Sequence, residues 1–260
     1  MTQAVRYDLR SRVGHVTLAA PDAGNVLNTP VIEAIRDHVS RAIDDSSCRV
    51  IVLRATGPDF CRGLDFGSVH GETADLRAMG KAYRECLGLI NGSPKPVIAC
   101  AEGHVAGGGV GLAAACDIVL TQDGVTFTLP EVIVGMIPAL VMPFLVRRIG
   151  AGRVRYMAIS SRRVSAAEAA RFGLVDELVA GDMRDALSRQ IKRLFCSSPA
   201  ALAETKRSLQ RLDGGGLQRD LDSALEHLDA WADLEIAIEG VRSFADGFSP
   251  SWFEKYTEQT

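Results

Sequence analysis

Apolar and polar positions along the chain follow two periods that take turns. Val13 to Leu18 reads as a strand. Thr29 then caps a helix with Pro30 at its first position, and Ile32, Ile35, Val39 and Ala42 make one apolar face. The strand-like run Val50 to Leu53 follows, then a helix from about Ala74 to Ile90 and a second run, Val97 to Cys100. Ile118-Val119-Leu120 and Val125 to Leu129 read as short strands, and Ser165-Ala166-Ala167-Glu168 is a capping box that opens another helix. From Asp182 onward the pattern is helical, broken at Ser197-Ser198-Pro199 and at Asp213-Gly214-Gly215-Gly216. One long helix is expected from Leu217 to Phe244, with an apolar stripe running from Leu217 and Leu221 to Leu234 and Ile238. This alternation predicts an α/β core over residues 1–195 and a C-terminal helical module over 196–260. No internal repeat and no low-complexity linker stands out.

Two glycine-bearing loops interrupt the pattern just after strands. The first is Asp59-Phe60-Cys61-Arg62-Gly63-Leu64-Asp65-Phe66; the second runs from Gly103 through Gly107-Gly108-Gly109 to Gly111 and enters Ala113-Ala114-Ala115. Glycine removes every Cβ between backbone and ligand, so N–H groups at a helix N-terminus can approach an oxygen that gains negative charge. No Lys-Ser/Thr follows the triplet, which argues against a phosphate loop. Close helix–strand packing explains the glycines of one loop equally well. Two such loops, each offering one N–H to a shared point, make an oxyanion hole.

Composition narrows the classes. The chain has 260 residues, 47% hydrophobic and 23% charged, enough for one α/β domain with a full core. A net charge of −3 gives no basic field for nucleic acid. No stretch approaches the ~20 apolar residues of a membrane span, and Met1 to Arg10 is not a signal peptide. Six cysteines without metal or C-x-x-C spacing read as core filler in a reducing cytoplasm, and no metal site is expected. Cys61 lies in the first loop, but no histidine partner is placed nearby.

In order and spacing, these blocks resemble the crotonase, or enoyl-CoA hydratase/isomerase, superfamily. The likeness covers about Val13 to Leu212 and adds Asn25-Val26-Leu27-Asn28, Leu129-Pro130-Glu131, Gly135-Met136-Ile137-Pro138 and Gly173-Leu174-Val175-Asp176. It implies a ClpP/crotonase-like ββα superhelix with a C-terminal helical module, assembled as a homotrimer or hexamer. It also implies an acyl thioester of CoA or of acyl-carrier-protein phosphopantetheine as substrate, with no further cofactor. The oxyanion donors carry over to the N–H groups of Leu64 and Gly108, and the acid–base group to Glu131. Arg62, Asp65, Phe66 and Gly107 are candidate substrate contacts; Arg62 is a candidate for a substrate carboxylate by its place in the first loop alone, with a solvent-exposed or pantetheine-phosphate role as the alternative.

One departure matters. Hydratases of the superfamily generally carry a first glutamate two residues after the triplet, and here that position is Gly111. A glycine-rich stretch after Ile137-Pro138 is also replaced, by Ala139-Leu140-Val141-Met142-Pro143-Phe144. Both features look like the dehydratases of polyketide β-branching cassettes, which convert 3-hydroxy-3-methylglutaryl on an acyl carrier protein to 3-methylglutaconyl. A generic hydratase, a Δ3,Δ2-enoyl-CoA isomerase and a non-catalytic scaffold are the alternatives. Asp65, His70, Lys81 and Tyr83 are candidate auxiliary acids that spacing cannot place. Arg147, Arg148, Arg153 and Arg155 offer either a surface for an acidic carrier protein or a solvated face with its own ion pairs.

Overall fold

In the computed structural model, residues 4–69, 73–214 and 216–254 are described. The chain opens on an antiparallel pair, β1 (Val5–Arg10) and β2 (Val13–Leu18), followed by α1 (Thr29–Asp44). Asn28, not Thr29, caps this helix. Its backbone is extended and its side chain accepts from the Val31 N–H at 3.1 Å, so Thr29 and Pro30 already lie inside the first turn. The four sequence-predicted apolar positions of α1 are all buried.

A ββ unit then recurs three times. β3 (Val50–Ala55) leads to β4 (Asp59–Cys61) and on to α2 (Thr73–Gly92). β5 (Val97–Ala101) leads to β6 (His104–Ala106) and α3 (Gly108–Ala115). β7 (Ile118–Gln122) leads to β8 (Thr126–Thr128) and, after a single 3-10 turn at Glu131–Val134, to α4 (Met142–Ile149). The remainder is α5 (Ala151–Ser160), β9 (Val164–Ser165), α6 (Ala166–Phe172), β10 (Glu177–Val179), α7 (Met183–Phe195), α8 (Pro199–Leu212), α9 (Gly216–Ala232) and α10 (Glu235–Ala245).

Within each unit the first strand joins a six-stranded sheet, β1-β2-β3-β5-β7-β10, parallel except for the β1–β2 pair. The second strand joins a smaller sheet, β4-β6-β8-β9, in which only β9 runs antiparallel. The chain therefore spirals between two sheets. This is a repeat of architecture where the sequence shows none, because each turn buries different side chains.

Gly57, Gly103 and Gly124 make the three crossings between sheets, with φ of 85°, 76° and 85°. That left-handed conformation costs other L-residues about 1–2 kcal/mol. Gly103 is held further, since a Cβ there would overlap the Pro58 carbonyl, whereas nothing lies within 4 Å of a Cβ at Gly124.

The expected helix from Leu217 to Phe244 is instead two helices. The break falls at Asp233-Leu234, where Leu234 is extended (ψ 138°). That bend folds α10 back over the 3-10 turn, close enough that a Cβ at Gly240 would collide with the Val134 carbonyl. The capping box at Ser165–Glu168 forms as predicted. Five cysteines are buried and Cys196 is exposed. No helix among the described residues is long and apolar enough to cross a membrane.

Chemical denaturation should show Gly103→Ala losing more than about 3 kcal/mol, and Gly124→Ala about 1–2 kcal/mol. Equal losses would mean that contact with Pro58 does not set the crossing.

Candidate active site

Strands β4, β6 and β8 lie side by side and parallel, and each delivers one group just past its C-terminal end. The first is the Leu64 N–H. Asn25 fastens the approach to it: this residue sits in a left-handed conformation (φ 51°), and its buried amide donates to the Thr56 and Asp59 carbonyls at 2.9 and 2.7 Å. Two residues on, Leu27 pairs with Leu64 as a parallel bridge. The Leu27 N–H donates to the Gly63 carbonyl at 2.8 Å, and the Asp65 N–H donates to the Leu27 carbonyl at 2.9 Å. In such a bridge the N–H of Leu64 itself faces away from Leu27.

The second group is the Gly108 N–H. Gly107 (φ 49°) donates to the Thr128 carbonyl at 2.9 Å and turns the chain into α3. As the first residue of α3, Gly108 has no carbonyl one turn back to accept from its N–H, and the helix dipole adds partial positive charge there. The two loops touch: a Cβ at Gly63 would lie 3.1 Å from the Ala106 carbonyl oxygen and 3.5 Å from the Gly108 nitrogen. The two loops that carry these N–H groups are thus in contact, as an oxyanion hole would require.

Glu131 is the third group. It follows Pro130 as the first residue of the 3-10 turn, and Gly135 (φ 70°) closes that turn. The residue is only 7% exposed, and Oε2 has no hydrogen-bond partner among the described residues. Oε1 would stand 3.1 Å from a Cβ at Gly107, which puts the carboxylate directly against the second loop. Burial pushes the carboxyl up to about 7, partly offset by its own backbone amide.

Leu64, Phe66, Gly108 and Glu131 stand at the junction of two chambers. An outer one of about 270 Å³ opens past Arg62, Gly107, Ile133 and Phe244. An inner one of about 20 Å³ ends at Tyr83, Leu140, Val141 and Leu228. Of the predicted substrate contacts, Arg62, Phe66 and Gly107 line this space, while Asp65 is placed by its backbone bond to Leu27 and lines neither chamber. Arg62 is 60% exposed at the mouth and paired with buried Asp59 at 2.9 Å.

Other candidates part company. Lys81 is exposed, His70 lies outside the described residues, and Tyr83 alone reaches the chamber. Ala139, Leu140 and Val141 of the apolar replacement stretch line the inner chamber; Phe144 lines a separate depression of about 450 Å³ with Arg147, Arg148 and Lys206. That larger depression holds none of Leu64, Gly108 and Glu131, and its cations are paired with neighbouring carboxylates. Arg147 binds Asp213 and Asp220 at 2.7 and 2.9 Å, Arg148 binds Asp176, and Lys206 binds Asp117 at 2.6 Å. Arg153 donates to the Phe172 carbonyl. The arginine cluster is therefore largely a self-paired face. The Cys61 thiol is buried and pushed up to about 12, so it holds no thiolate near neutrality. No group of three metal-ligating side chains occurs among the described residues.

The family model for enoyl-CoA hydratase/isomerase matches residues 8–255. The chain belongs to that family and is an enzyme of its hydro-lyase type. It is 28% identical over 214 residues to the bacillaene synthase dehydratase PksH of Bacillus subtilis (strain 168), covering 81% of this chain and 82% of that one. Carnitinyl-CoA dehydratase of Proteus mirabilis (strain HI4320) is 32% identical over 97% of this chain and 99% of its own. Among solved structures, B. subtilis PksH superposes with a TM-score of 0.84 at 26% identity, covering 96% of this chain and 100% of that chain. An enoyl-CoA hydratase from Mycobacterium avium subsp. paratuberculosis K-10 gives 0.85 at 25%, covering 97% and 99%. The expected crotonase fold, with its mixed sheets and C-terminal helices, is thereby shown.

Glu131 titrates higher in the fold than its ordinary 4.5. Its contribution to stability is therefore full below about 4.5 and lost as pH rises through about 7. Glu131→Gln should gain roughly 2–3 kcal/mol on the wild type between pH 5 and pH 8 in paired denaturation curves. A constant difference would mean the carboxyl is not desolvated.

Proposed function

We propose that the protein dehydrates a 3-hydroxyacyl thioester, with 3-hydroxy-3-methylglutaryl on an acyl carrier protein as substrate and 3-methylglutaconyl as product. The observation that carries the reaction type is a single carboxylate, Glu131, facing two convergent backbone donors. Among the described residues no second acid lines either chamber. The Glu131 carboxylate removes the Cα proton, and the resulting enolate oxygen is held by the Leu64 and Gly108 N–H groups. The protonated Glu131 then gives that proton to the 3-hydroxyl, which leaves as water as the Cα–Cβ double bond forms. The acid thus returns to its starting state, so one group suffices. An oxyanion donor is typically worth about 3–4 kcal/mol in such a step.

The acyl group is argued from the walls. Leu140 and Val141 close the inner end, which favours a short branched acyl group over a long straight chain. Arg62, the one cation lining the chambers among the described residues, meets the anionic part of the substrate. Likeness to PksH in sequence and in structure supports the same reading.

Glu131→Gln should lower turnover at least ~10³-fold while leaving thioester affinity unchanged, since the two N–H donors remain. Near-normal turnover would sink the assignment. Side-by-side steady-state rates on 3-hydroxy-3-methylglutaryl-carrier protein and 3-hydroxybutyryl-CoA test the substrate. Faster turnover of the straight-chain CoA ester would return the chain to the generic hydratases.

Assembly as a homotrimer belongs to the same reading. The α9 stripe does not argue for it, because Leu221 and Leu228 are buried within the chain's own core. The support comes from Ile133, Ile236, Phe244 and Phe248, which are exposed large apolar side chains on or near the 3-10 turn and α10. Light scattering at micromolar concentration should give a trimer or its multiple; a monomer would refute it.

A further inference from the structure

Gly111, where a first glutamate stands in most hydratases, has no room for any side chain. A Cβ there would overlap the Tyr83 hydroxyl and lie 3.1 Å from Val141 Cγ2. The vacated space is thus filled from another element, by a phenol carried on α2. Tyr83 is 1% exposed and donates its proton to the Gly108 carbonyl at 2.5 Å. With that proton committed, the oxygen keeps lone pairs that can accept. Burial raises the phenol well above 10, so it stays neutral and is no base.

The inner chamber, about 20 Å³, is large enough for one water-sized group. Its lining side chains are apolar except two, Tyr83 and Glu131. The second brings an unpartnered buried oxygen, Oε2. A chamber of this size with polar groups from two elements is matched to a single hydroxyl.

We propose that Tyr83 receives the departing hydroxyl: the substrate's 3-hydroxyl enters the inner chamber, donates to Tyr83 Oη, and leaves from there as water. The inference rests on the dehydration reading above. Protonated Glu131 donates to the hydroxyl oxygen, the C3–O bond breaks, and the enolate electron pair becomes the new double bond. The hydroxyl keeps its own hydrogen, directed at Tyr83, whose bonds do not change. Tyr83 therefore selects 3-hydroxy over saturated acyl groups and orients the leaving group toward Glu131. The competing role is a plug, in which the ring merely fills the volume of the missing glutamate. A plug needs no oxygen.

Tyr83→Phe separates the two, because it keeps the ring and removes only the oxygen. Turnover of the 3-hydroxy-3-methylglutaryl thioester should fall roughly 10–100-fold. Affinity is read by calorimetry in the Glu131→Gln background, which binds without reacting, using 3-hydroxy-3-methylglutaryl-CoA and 3-methylglutaryl-CoA. Adding Tyr83→Phe should weaken the hydroxy ester roughly tenfold and leave the saturated one unchanged, the signature of one lost hydrogen bond. Turnover within twofold of wild type, or equal weakening of both esters, would overturn the inference and leave the dehydratase reading standing. A wild-type enzyme that dehydrates no 3-hydroxyacyl thioester would overturn both.

Discussion

The site depends on three chain segments approaching more closely than side chains allow. A Cβ at Gly109 would sit 2.6 Å from the Cys61 carbonyl oxygen and 2.8 Å from Cys61 Cβ. A Cβ at Gly63 would lie 3.1 Å from the Ala106 carbonyl oxygen, and one at Gly107 3.1 Å from Glu131 Oε1, both tighter than ordinary contact. The atoms met are backbone, the Cys61 Cβ and the Glu131 carboxylate. A side chain at Gly109 would force the first and second loops apart. Hydrogen bonds then fix what the glycines permit, through the Leu27–Leu64 bridge on one side and the Gly107–Thr128 bond on the other. Backbone donors held this way need no reorganisation when charge develops.

A cost accompanies the geometry. Glu131 is buried with an oxygen that has no partner among the described residues, and burial raises its carboxyl to about 7. Neighbouring elements hold the turn in place. Trp231 of α9 donates its indole N–H to the Gly135 carbonyl at 2.8 Å, and α10 presses Gly240 against Val134. The bend at Asp233-Leu234 is what lets two helices of the C-terminal segment brace one 3-10 turn. That segment is therefore part of the site's mechanical support as well as a wall of its mouth, where Phe244 stands.

Much of this was legible in the sequence, and the rest was hidden for identifiable reasons. The long parallel strands and the apolar face of α1 follow from periodicity, because burial on both faces or on one stripe leaves a strong signal. Glycine spacing marked the two loops, since close approach favours that residue type, and the family resemblance picked out Leu64 and Gly108 within them. The strand β1 went unread although Val5, Tyr7 and Leu9 alternate with polar residues, a pattern that marks an edge pair. β4 and β6 are three residues each, too short for any period to register, so the second sheet was invisible. The helix break at Leu234 falls inside an unbroken 3.6-residue pattern and is decided by tertiary packing on the Glu131 turn. Tyr83 was one of four undistinguished candidates because its partner, Gly111, lies far along the chain on another helix.

The threefold ββ spiral also explains why these parts can vary independently. Each turn contributes one group at the same height: an N–H, an N–H and a carboxylate at the ends of β4, β6 and β8. The two amides belong to the backbone, so the side chain at Leu64 can change without touching the charge stabilisation. Chemistry is then set by what reaches the chamber from outside the spiral turns, here Tyr83 from α2 and Leu140-Val141 from the segment before α4. Replacing a carboxylate at Gly111 by a neutral phenol removes one proton acceptor without emptying the space it would occupy. On the proposed reading, a site so altered would keep the enolate half of the reaction and change only how the oxygen on C3 is handled. That is the kind of change that would move an enzyme among hydration, dehydration and isomerisation without disturbing its fold.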